Sequence, residues 1–290
     1  IRGLTVRFYT YEGVVQALEN VNLDINRKET FGLVGETGCG KTLTALSILR
    51  LVLPPGQIEG GSIYFNADNG NEPVDLLTIS EDQIRAIRGS KISMVFQEPG
   101  AALNPVYTIG DQISEVVLLH RRQEVAQQAL RTVNKLLAEK TGFISLLAKP
   151  MWLMERRLCQ GIAQNPHAGG PRIVGRIPLV RGLLRRLSGE AIKMTIDLLK
   201  EVEIPDPARV AQQHPHQLSG GMKQRAVIAM ALACSPKLLI ADEPTTSLDV
   251  TIQAQILQLL NRLKNEFDSS VLYITHDLGV AAEICDRVGV

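Results

Sequence analysis

Apolar residues in this chain fall into short continuous runs that alternate with longer stretches of helical spacing. Four of the short runs show no apolar–polar alternation, which indicates strands covered on both faces, as in a parallel sheet. These runs are Thr30–Val34, Lys91–Phe96, Lys237–Ala241 and Ser270–Thr275. Helical patterns occupy Lys41–Leu51, Val250–Phe267 and Leu278–Cys285. The alternation of strand and helix predicts an α/β fold with a doubly wound sheet.

The beginning and the middle of the chain follow different patterns. Apolar and polar residues alternate over Leu4–Phe8 and Val21–Ile25, which predicts antiparallel strands with one face in water. From about residue 110 to 217 the pattern is mainly helical, with a break in the Gly/Pro-rich segment 165–171. One helical face carries Val125, Ala129, Val133 and Leu137. We therefore expect an N-terminal antiparallel β subdomain, an α/β core and a helical subdomain.

Composition excludes several classes of protein. The chain has 290 residues, enough for one large or two small domains, and its 31 Lys and Arg nearly balance its 30 Asp and Glu. The net charge of +1 argues against coating nucleic acid, so we expect no nucleic-acid partner. No apolar run reaches the ~18–20 residues that cross a bilayer, and no secretory signal precedes the first strand. The ends, at Ile1 and Val290, are those expected of a domain cut from a longer chain.

The four cysteines are scattered along the chain, without a C-x-x-C pair. This spacing supports neither a zinc site nor a disulfide framework. We therefore expect reduced thiols, as in a cytosolic protein.

A glycine-rich loop follows the first core strand. Its residues are Gly35, Glu36, Thr37, Gly38, Cys39, Gly40, Lys41 and Thr42, a full match to G-x-x-x-x-G-K-S/T. The glycines let successive backbone N–H groups point at phosphate oxygens, and the start of the next helix adds its positive end. Lys41 is expected to reach the β- and γ-phosphates, and Thr42 to ligate Mg²⁺. Cys39 either makes the loop sensitive to oxidation or alkylation or fills a permissive position.

Two carboxylates follow the strand predicted at Lys237–Ala241. In open α/β sheets, ligands bind at the carboxyl ends of the strands, where a cation offsets the repulsion between neighbouring acids. Asp242 is therefore predicted as a direct or indirect partner of Mg²⁺. Glu243 is predicted to orient or deprotonate an attacking water. Alone, these acids would fit a solvated turn, but the phosphate loop favours the functional interpretation.

The segment Leu218–Gln224 resembles the LSGGQ signature of ABC ATPases, with Met222 where glutamine is commoner. Ser219, Gly220 and Gly221 begin a helix and offer a hydroxyl and free N–H groups to an anion. Three further motifs resemble those of the same family: the Q-loop in Phe96–Pro99, the D-loop in Ser247–Asp249 and the H-switch in Thr275–Asp277. The chain is thereby identified as a member of the ABC ATPases. The resemblance implies a P-loop NTPase fold with a RecA-like core.

Longer segments resemble the ATPase subunits of dipeptide and oligopeptide importers. They are Met94–Val106, His214–Met222 and Ala241–Val250. Some members of that group carry oligosaccharides, so both cargo classes stay open. The resemblance implies membrane permease subunits as partners, an extracytoplasmic substrate-binding protein as an indirect partner, and a peripheral location on the cytoplasmic face of the cell membrane. Some members carry a C-terminal iron–sulfur extension, for which the spread cysteines give no support.

The resemblance also implies a composite site for ATP and Mg²⁺ between two ATPase subunits, identical or different. One subunit supplies the loop Gly35–Thr42, and its partner supplies Ser219, Gly220 and Gly221. The implied catalytic residues are Lys41, Gln97, Glu243 and His276, and the implied Mg²⁺ ligands are Thr42, Gln97 and Asp242. For His276 the alternative is an ordinary turn histidine, but its position after a core strand favours catalysis.

An aromatic residue of the N-terminal strands is implied to stack on the adenine ring. The candidates are Phe8, Tyr9 and Tyr11, of which Tyr11 is preferred. A single aromatic residue in a strand is more often a packing residue than a ligand platform. The aromatic contact is therefore the least specific part of the implied site.

The family pattern divides the chain into a β and RecA-like core, 1–97 with 225–290, and a helical subdomain, 98–224. Residues of about 121–188 form an insertion that ordinary members mostly lack. Residues 141–190 contain eight Lys and Arg against two acids, a charge of +6. The apolar residues around Trp152 suit an interfacial element on anionic lipid. They equally suit a helical lobe that packs on itself, with its arginines solvated.

Two other classes of function are compatible with an ABC cassette. A soluble mechanoenzyme acting on DNA or the ribosome typically has two cassettes in one chain or a long heptad insertion, and neither is present. A module that binds ATP without hydrolysing it does not need Glu243 and His276, which are both present. An ATP-hydrolysing subunit of an uptake transporter is therefore the leading hypothesis.

Overall fold

A computed structural model describes residues 1–66, 72–139, 143–164, 178–246 and 248–290, with the backbone alone for 139, 143–149 and 178–184. Two compact units are present: Ile1–Ala102 together with Gly220–Val290, and Leu103–Ser219. The sequence-based division fell after Gln97 and before Arg225. The Gly/Pro-rich segment 165–171 and Ser247 of the D-loop lie outside the described residues. Within those residues, no helix combines the length and the apolar character that crossing a bilayer requires.

Strands and helices are numbered in chain order. The strands are β1 (Arg2–Thr10), β2 (Gly13–Val21), β3 (Thr30–Val34), β4 (Gly56–Ser62), β5 (Tyr64–Phe65), β6 (Val74–Asp75), β7 (Ile92–Val95), β8 (Leu238–Asp242), β9 (Ser270–Thr275) and β10 (Arg287–Gly289). The helices are α1 (Lys41–Ile48), α2 (Glu81–Ile87), α3 (Pro99–Ala102), α4 (Ile109–His120), α5 (Arg122–Glu139), α6 (Phe143–Gln164), α7 (Pro178–Glu201), α8 (Pro207–Val210), α9 (Gly220–Leu232), α10 (Val250–Glu266) and α11 (Leu278–Ile284). The three predicted helices α1, α10 and α11 begin where expected and end one to three residues earlier.

Parallel strands form the central sheet of the first unit, in the order β10–β3–β9–β8–β7. Every residue of β8 is buried, as are five of the six residues of β9. The continuous apolar runs therefore correspond to strands covered on both faces, as predicted. Because neighbouring strands run the same way, Val34, Asp242 and Thr275 end at one edge of the sheet. The loops that carry the predicted site residues leave the sheet at this edge.

An antiparallel sheet in the order β2–β1–β4 contains the N-terminal strands. The prediction of a strand over Val21–Ile25 is wrong, because the hairpin register pairs Thr10 with Gly13 and Leu4 with Val21, so the ladder ends at Val21. The alternation beyond that point has another cause. Leu23 and Ile25 pack against the hydrophobic core, and Leu23 exchanges backbone hydrogen bonds of 2.8 and 3.2 Å with Ile1.

The second unit is helical, as expected for the middle of the chain. Helix α5 packs on α6, and α4 packs on α7. The predicted face of α5 is buried at Val125, Ala129 and Val133, and half-buried at Leu137. Trp152 is only 8% exposed, so it belongs to the packing of this unit rather than to its surface.

Candidate active site

The glycine-rich loop joins β3 to α1, in the context that the motif requires. Gly38 and Gly40 have φ angles of +89° and +98°, in the left-handed region that favours glycine. At Gly40 a Cβ atom would lie 2.5 Å from Cδ2 of Leu18, so the antiparallel sheet leaves no room for a side chain. The loop is thus fixed both by its own conformation and by β2.

Lys41 is buried at the start of α1, with 7% of the residue exposed. Its Nζ donates hydrogen bonds to the carbonyl oxygens of Gly35, at 2.7 Å, and Glu36, at 2.8 Å. The same Nζ lies 3.7 Å from Sγ of Cys39, which is exposed. The ammonium group is therefore enclosed by the loop that is predicted to bind phosphate. Glu36 and Thr37 are exposed on the outer part of the loop.

Thr42 and Asp242 come together from opposite ends of the sequence. The Thr42 hydroxyl donates a hydrogen bond of 3.1 Å to Oδ1 of Asp242, which ends β8. Burial raises the pKa of Asp242 above its usual value, and the neighbouring Glu243 adds to this, while Thr42 and Lys41 act in the opposite direction. A hydroxyl and a buried carboxylate are oxygen donors of the kind that Mg²⁺ prefers, and a bound cation would relieve the cost of burying the charge. These residues therefore fit a magnesium ion.

Glu243 is the centre of a second cluster at the same edge of the sheet. Its Oε1 lies 3.1 Å from Nδ1 of His276, which follows β9. Its Oε2 accepts hydrogen bonds from Nε2 of Gln97, at 3.3 Å, and from the hydroxyl of Thr246, at 2.9 Å. Only 12% of the Glu243 side chain is exposed, against 51% for His276. The structure thus brings two of the predicted catalytic residues, Gln97 and His276, to the carboxylate of a third, Glu243.

The backbone of Glu243 is unusual for a residue with a side chain. Its φ of +45° lies in the left-handed region, which costs a non-glycine residue about 1–2 kcal/mol. Its N–H donates to the carbonyl oxygen of Ile274 at 3.0 Å, so the chain leaves the sheet immediately after this bond. Backbone strain of this kind concentrates at functional sites, where surrounding contacts maintain it.

Sequence reasoning missed Thr246. The residue lies in the turn after Glu243, and its hydroxyl contacts both the carboxylate of Glu243, at 2.9 Å, and the carbonyl oxygen of Glu243, at 3.3 Å. Threonine commonly makes such local bonds in turns, so the Glu-Pro-Thr-Thr sequence contained the information. Its relation to the carboxylate depends on the left-handed backbone, which the sequence does not reveal.

The three aromatic candidates of β1 and its hairpin differ in their surroundings. Phe8 packs against the hydrophobic core, and the hydroxyl of Tyr9 donates a hydrogen bond to Glu59. Tyr11 lies in the turn between β1 and β2 and is fully exposed. Of the three, Tyr11 has the ring faces that a ligand can reach most freely.

The signature residues differ in their surroundings. Ser219 and Gly220 are exposed where α9 begins. A Cβ atom on Gly221 would lie 2.8 Å from Cγ2 of Ile252 on α10, so this position needs glycine for packing.

The fold and this edge of the sheet define a P-loop nucleoside triphosphatase. Residues 18–246 match the sequence profile described as ABC transporter, and the chain belongs to this family.

Comparisons with individual proteins agree with that assignment. The chain is 41% identical to a probable peptide ABC transporter ATP-binding protein of Sinorhizobium fredii, over 99% of this chain and 66% of the relative. It is 40% identical to a dipeptide transport ATP-binding protein of Bacillus subtilis, over 100% of this chain and 66% of the relative. The chain thus spans about two thirds of the length of the curated relatives that it matches. A dimeric ATP-binding cassette bound to ADP and Pi has a TM-score of 0.65 and 25% identity, over 99% of this chain and 91% of that one.

Proposed function

We propose that this chain is the ATP-hydrolysing subunit of an ABC importer, with di- or oligopeptides as the cargo class. The observation that carries the proposal is the Glu243 carboxylate, held by Gln97, Thr246 and His276 at the edge of the sheet that also carries the phosphate loop. The relatives named for peptide and dipeptide transport support the cargo class. Oligosaccharide cargo is the alternative within the same group. No relative described above favours a soluble mechanoenzyme.

Nucleotide binding begins with the phosphate loop. The backbone N–H groups of Gly35–Thr42 and the positive end of α1 would receive the phosphates. The Lys41 ammonium group would give up its hydrogen bonds to the carbonyl oxygens of Gly35 and Glu36 and bind phosphate oxygens instead. A hydrogen bond between two charged groups is stronger than one to a neutral carbonyl oxygen. Tyr11 would stack on the adenine ring, because it is fully exposed, whereas Phe8 packs against the core and the hydroxyl of Tyr9 is bonded to Glu59.

Thr42 and Asp242 would hold Mg²⁺, with Gln97 as a further ligand. The Gln97 amide donates its N–H to Glu243, which leaves its carbonyl oxygen for a cation. When bound, the ion would supply positive charge against the phosphate oxygens. Asp242 is suited to this role because its carboxylate is buried and its pKa is raised in the absence of a cation.

Hydrolysis would depend on Glu243. A positioned carboxylate that orients water or accepts its proton contributes roughly 10²–10⁴-fold to a reaction rate. Thr246 and Gln97 both bond to Oε2, and His276 contacts Oε1, so the carboxylate is held from two sides. His276 is half-exposed and would contact the γ-phosphate as well as Glu243.

A second ATPase subunit, identical or different, would complete the site with its Ser219, Gly220 and Gly221. The exposure of Ser219 and Gly220 supports this arrangement, as does the likeness to a solved dimeric cassette. The proposed partners are membrane permease subunits and, through them, an extracytoplasmic substrate-binding protein. The proposed location is the cytoplasmic face of the cell membrane, as a peripheral subunit.

The test measures phosphate release by the purified chain and by its complex with the permeases encoded beside it. The expected result is Mg²⁺-dependent ATP hydrolysis that EDTA abolishes and that peptides, delivered with the binding protein, stimulate. Stimulation by oligosaccharides but not by peptides would overturn the cargo class alone. The absence of ATP hydrolysis in both preparations would overturn the enzymatic proposal.

A further inference from the structure

Helix α6 presents two different faces. Its inner face carries Trp152, Glu155 and Cys159, which are at most 8% exposed. Its outer face carries apolar side chains that are left in solvent: Met151, Leu153 and Met154 are 42%, 48% and 37% exposed. Among the side chains described between residues 151 and 159, packing therefore accounts for one side of the helix.

The charged residues of segment 141–190 also divide into a buried set and an exposed set. Both acids of residues 141–190 are turned inward: Glu155 pairs with Arg186 at 2.9 Å, and Glu190 accepts bonds from Thr132 and Lys193. Glu155 and Glu190 are 3% and 6% exposed. The exposed charged side chains described in this segment are Arg156, Arg157 and Arg185, all of them basic. The described part of the segment thus exposes basic side chains and buries its acids.

From this arrangement we propose that the outer face of α6 docks on the anionic headgroups of a lipid bilayer. Arginine guanidinium groups bind lipid phosphates, while flanking apolar side chains enter the boundary between headgroups and acyl chains. The lipid face is defined as Met151, Leu153, Met154, Arg156 and Arg157, with Arg156 at its margin, four residues from the buried Trp152. The charge of +6 in residues 141–190 complements the negative cytoplasmic leaflet, where the proposed function places this chain, whereas the other residues of the chain have a net charge of −5.

The experiment measures sedimentation of the full chain with vesicles of phosphatidylcholine alone or with about 30% phosphatidylglycerol, since the attraction depends on anionic lipid. The expected result is binding to the anionic vesicles that weakens as salt rises from about 50 to about 500 mM. Replacing Arg156 and Arg157 together by serine should lower the partition coefficient roughly 30-fold, from the usual contribution of each basic residue near such a surface. Leu153→Ser should lower it about tenfold.

Matched controls separate a specific surface from bulk charge and bulk hydrophobicity. Arg85→Ser with Arg262→Ser removes the same charge from exposed sites of the other unit, and Leu53→Ser removes an exposed leucine there. These controls should bind anionic vesicles as the unaltered chain does, and all variants should retain ATP binding. Equal losses in the controls, or no binding of the unaltered chain to anionic vesicles, would overturn the proposal. Unchanged lipid binding with lost permease association in the arginine variant would assign the face to protein instead.

Discussion

Glu243 and His276 follow neighbouring parallel strands, β8 and β9, and their side chains meet at 3.1 Å between Oε1 and Nδ1. The contact joins residues 33 positions apart through the geometry of the sheet edge. It places an imidazole beside the one carboxylate that Gln97 and Thr246 also hold.

Glu243→Gln should retain ATP affinity and lose turnover by roughly 10²–10³-fold or more, because only an interaction made in the transition state is removed. The measurement pairs equilibrium nucleotide binding with phosphate release, and gel filtration should show a trapped ATP-bound dimer. Glu266→Gln is the control, since it makes the same change at an exposed residue of α10. Turnover at the wild-type rate in Glu243→Gln would remove this residue from the mechanism.

Asp242→Asn should stabilise the nucleotide-free chain or leave its stability unchanged, while weakening Mg²⁺-dependent ATP binding. The pKa of Asp242 is raised in the folded state, so its ionised form costs stability once the pH exceeds the unfolded pKa, which is about 4. The Tm advantage of the variant should therefore appear at neutral pH and vanish as the pH falls to that value. Thermal melts across this range check the prediction, and a neutral-pH Tm well below that of the parent would contradict it.

Gly38→Ala and Gly40→Ala separate backbone strain from steric exclusion. Both positions have positive φ, so each alanine should cost about 1–2 kcal/mol. A Cβ atom at Gly38 meets nothing within 4 Å, whereas at Gly40 it collides with Leu18 of β2. Gly40→Ala should therefore cost a further ~1–3 kcal/mol and lower nucleotide affinity more. Chemical denaturation measures the loss of stability in each variant, and nucleotide titration measures the loss of affinity. Equal losses in Gly38→Ala and Gly40→Ala would contradict the prediction.

Thr195→Val should stabilise the helical unit by about 1 kcal/mol. The Thr195 side chain is fully buried in α7, and its hydroxyl has no hydrogen-bond partner among the described residues. Thr132→Val is the opposite case, because the Thr132 hydroxyl donates a 3.0 Å bond to the buried Glu190, and its removal should destabilise the unit by a similar amount. Urea denaturation measures both. A loss of stability in Thr195→Val would show that its hydroxyl is satisfied in solution.

Ser219→Arg should leave ATP binding by the monomer intact and abolish hydrolysis, because the larger side chain would block closure by the opposite subunit. Lys41→Ala should instead weaken nucleotide binding itself, since it removes a charge that faces phosphate. A mixture of the two variants should regain at most one working site per dimer. Loss of ATP binding in Ser219→Arg monomers would contradict the assignment of this residue to the partner's site.

The core strands were predictable because they are buried on both faces and therefore apolar throughout. The end of the second N-terminal strand was not predictable from the sequence. Leu23 and Ile25 pack against the core as strand residues would, but they do not belong to a β-ladder. Pairing partners rather than apolar positions define a strand's end, and pairing is a tertiary property.

Thr42 and Asp242 were each assigned to Mg²⁺ from their motifs, and the shared edge of the parallel strands explains why their side chains meet. The place of Thr246 was not predictable, because it rests on the left-handed conformation of Glu243. Nor did the sequence show which side of α6 is buried. Only the packing of α5 against α6 reveals that Trp152 is inside while Met151 and Leu153 are outside.

A long stretch of chain connects β7 to β8, and its length affects the order in which the protein folds. Ile92 pairs with Leu238 across a separation of 146 residues, the same separation as between Gln97 and Glu243. Closing so long a loop carries an entropic cost that local helix contacts do not, so α4–α8 should fold before the sheet is complete. Compaction of those helices shortens the chain that must be closed. During synthesis, the edge of the sheet that carries Glu243 therefore assembles only after β8 and β9 have emerged, and a chain interrupted before β8 would have the helices without that carboxylate.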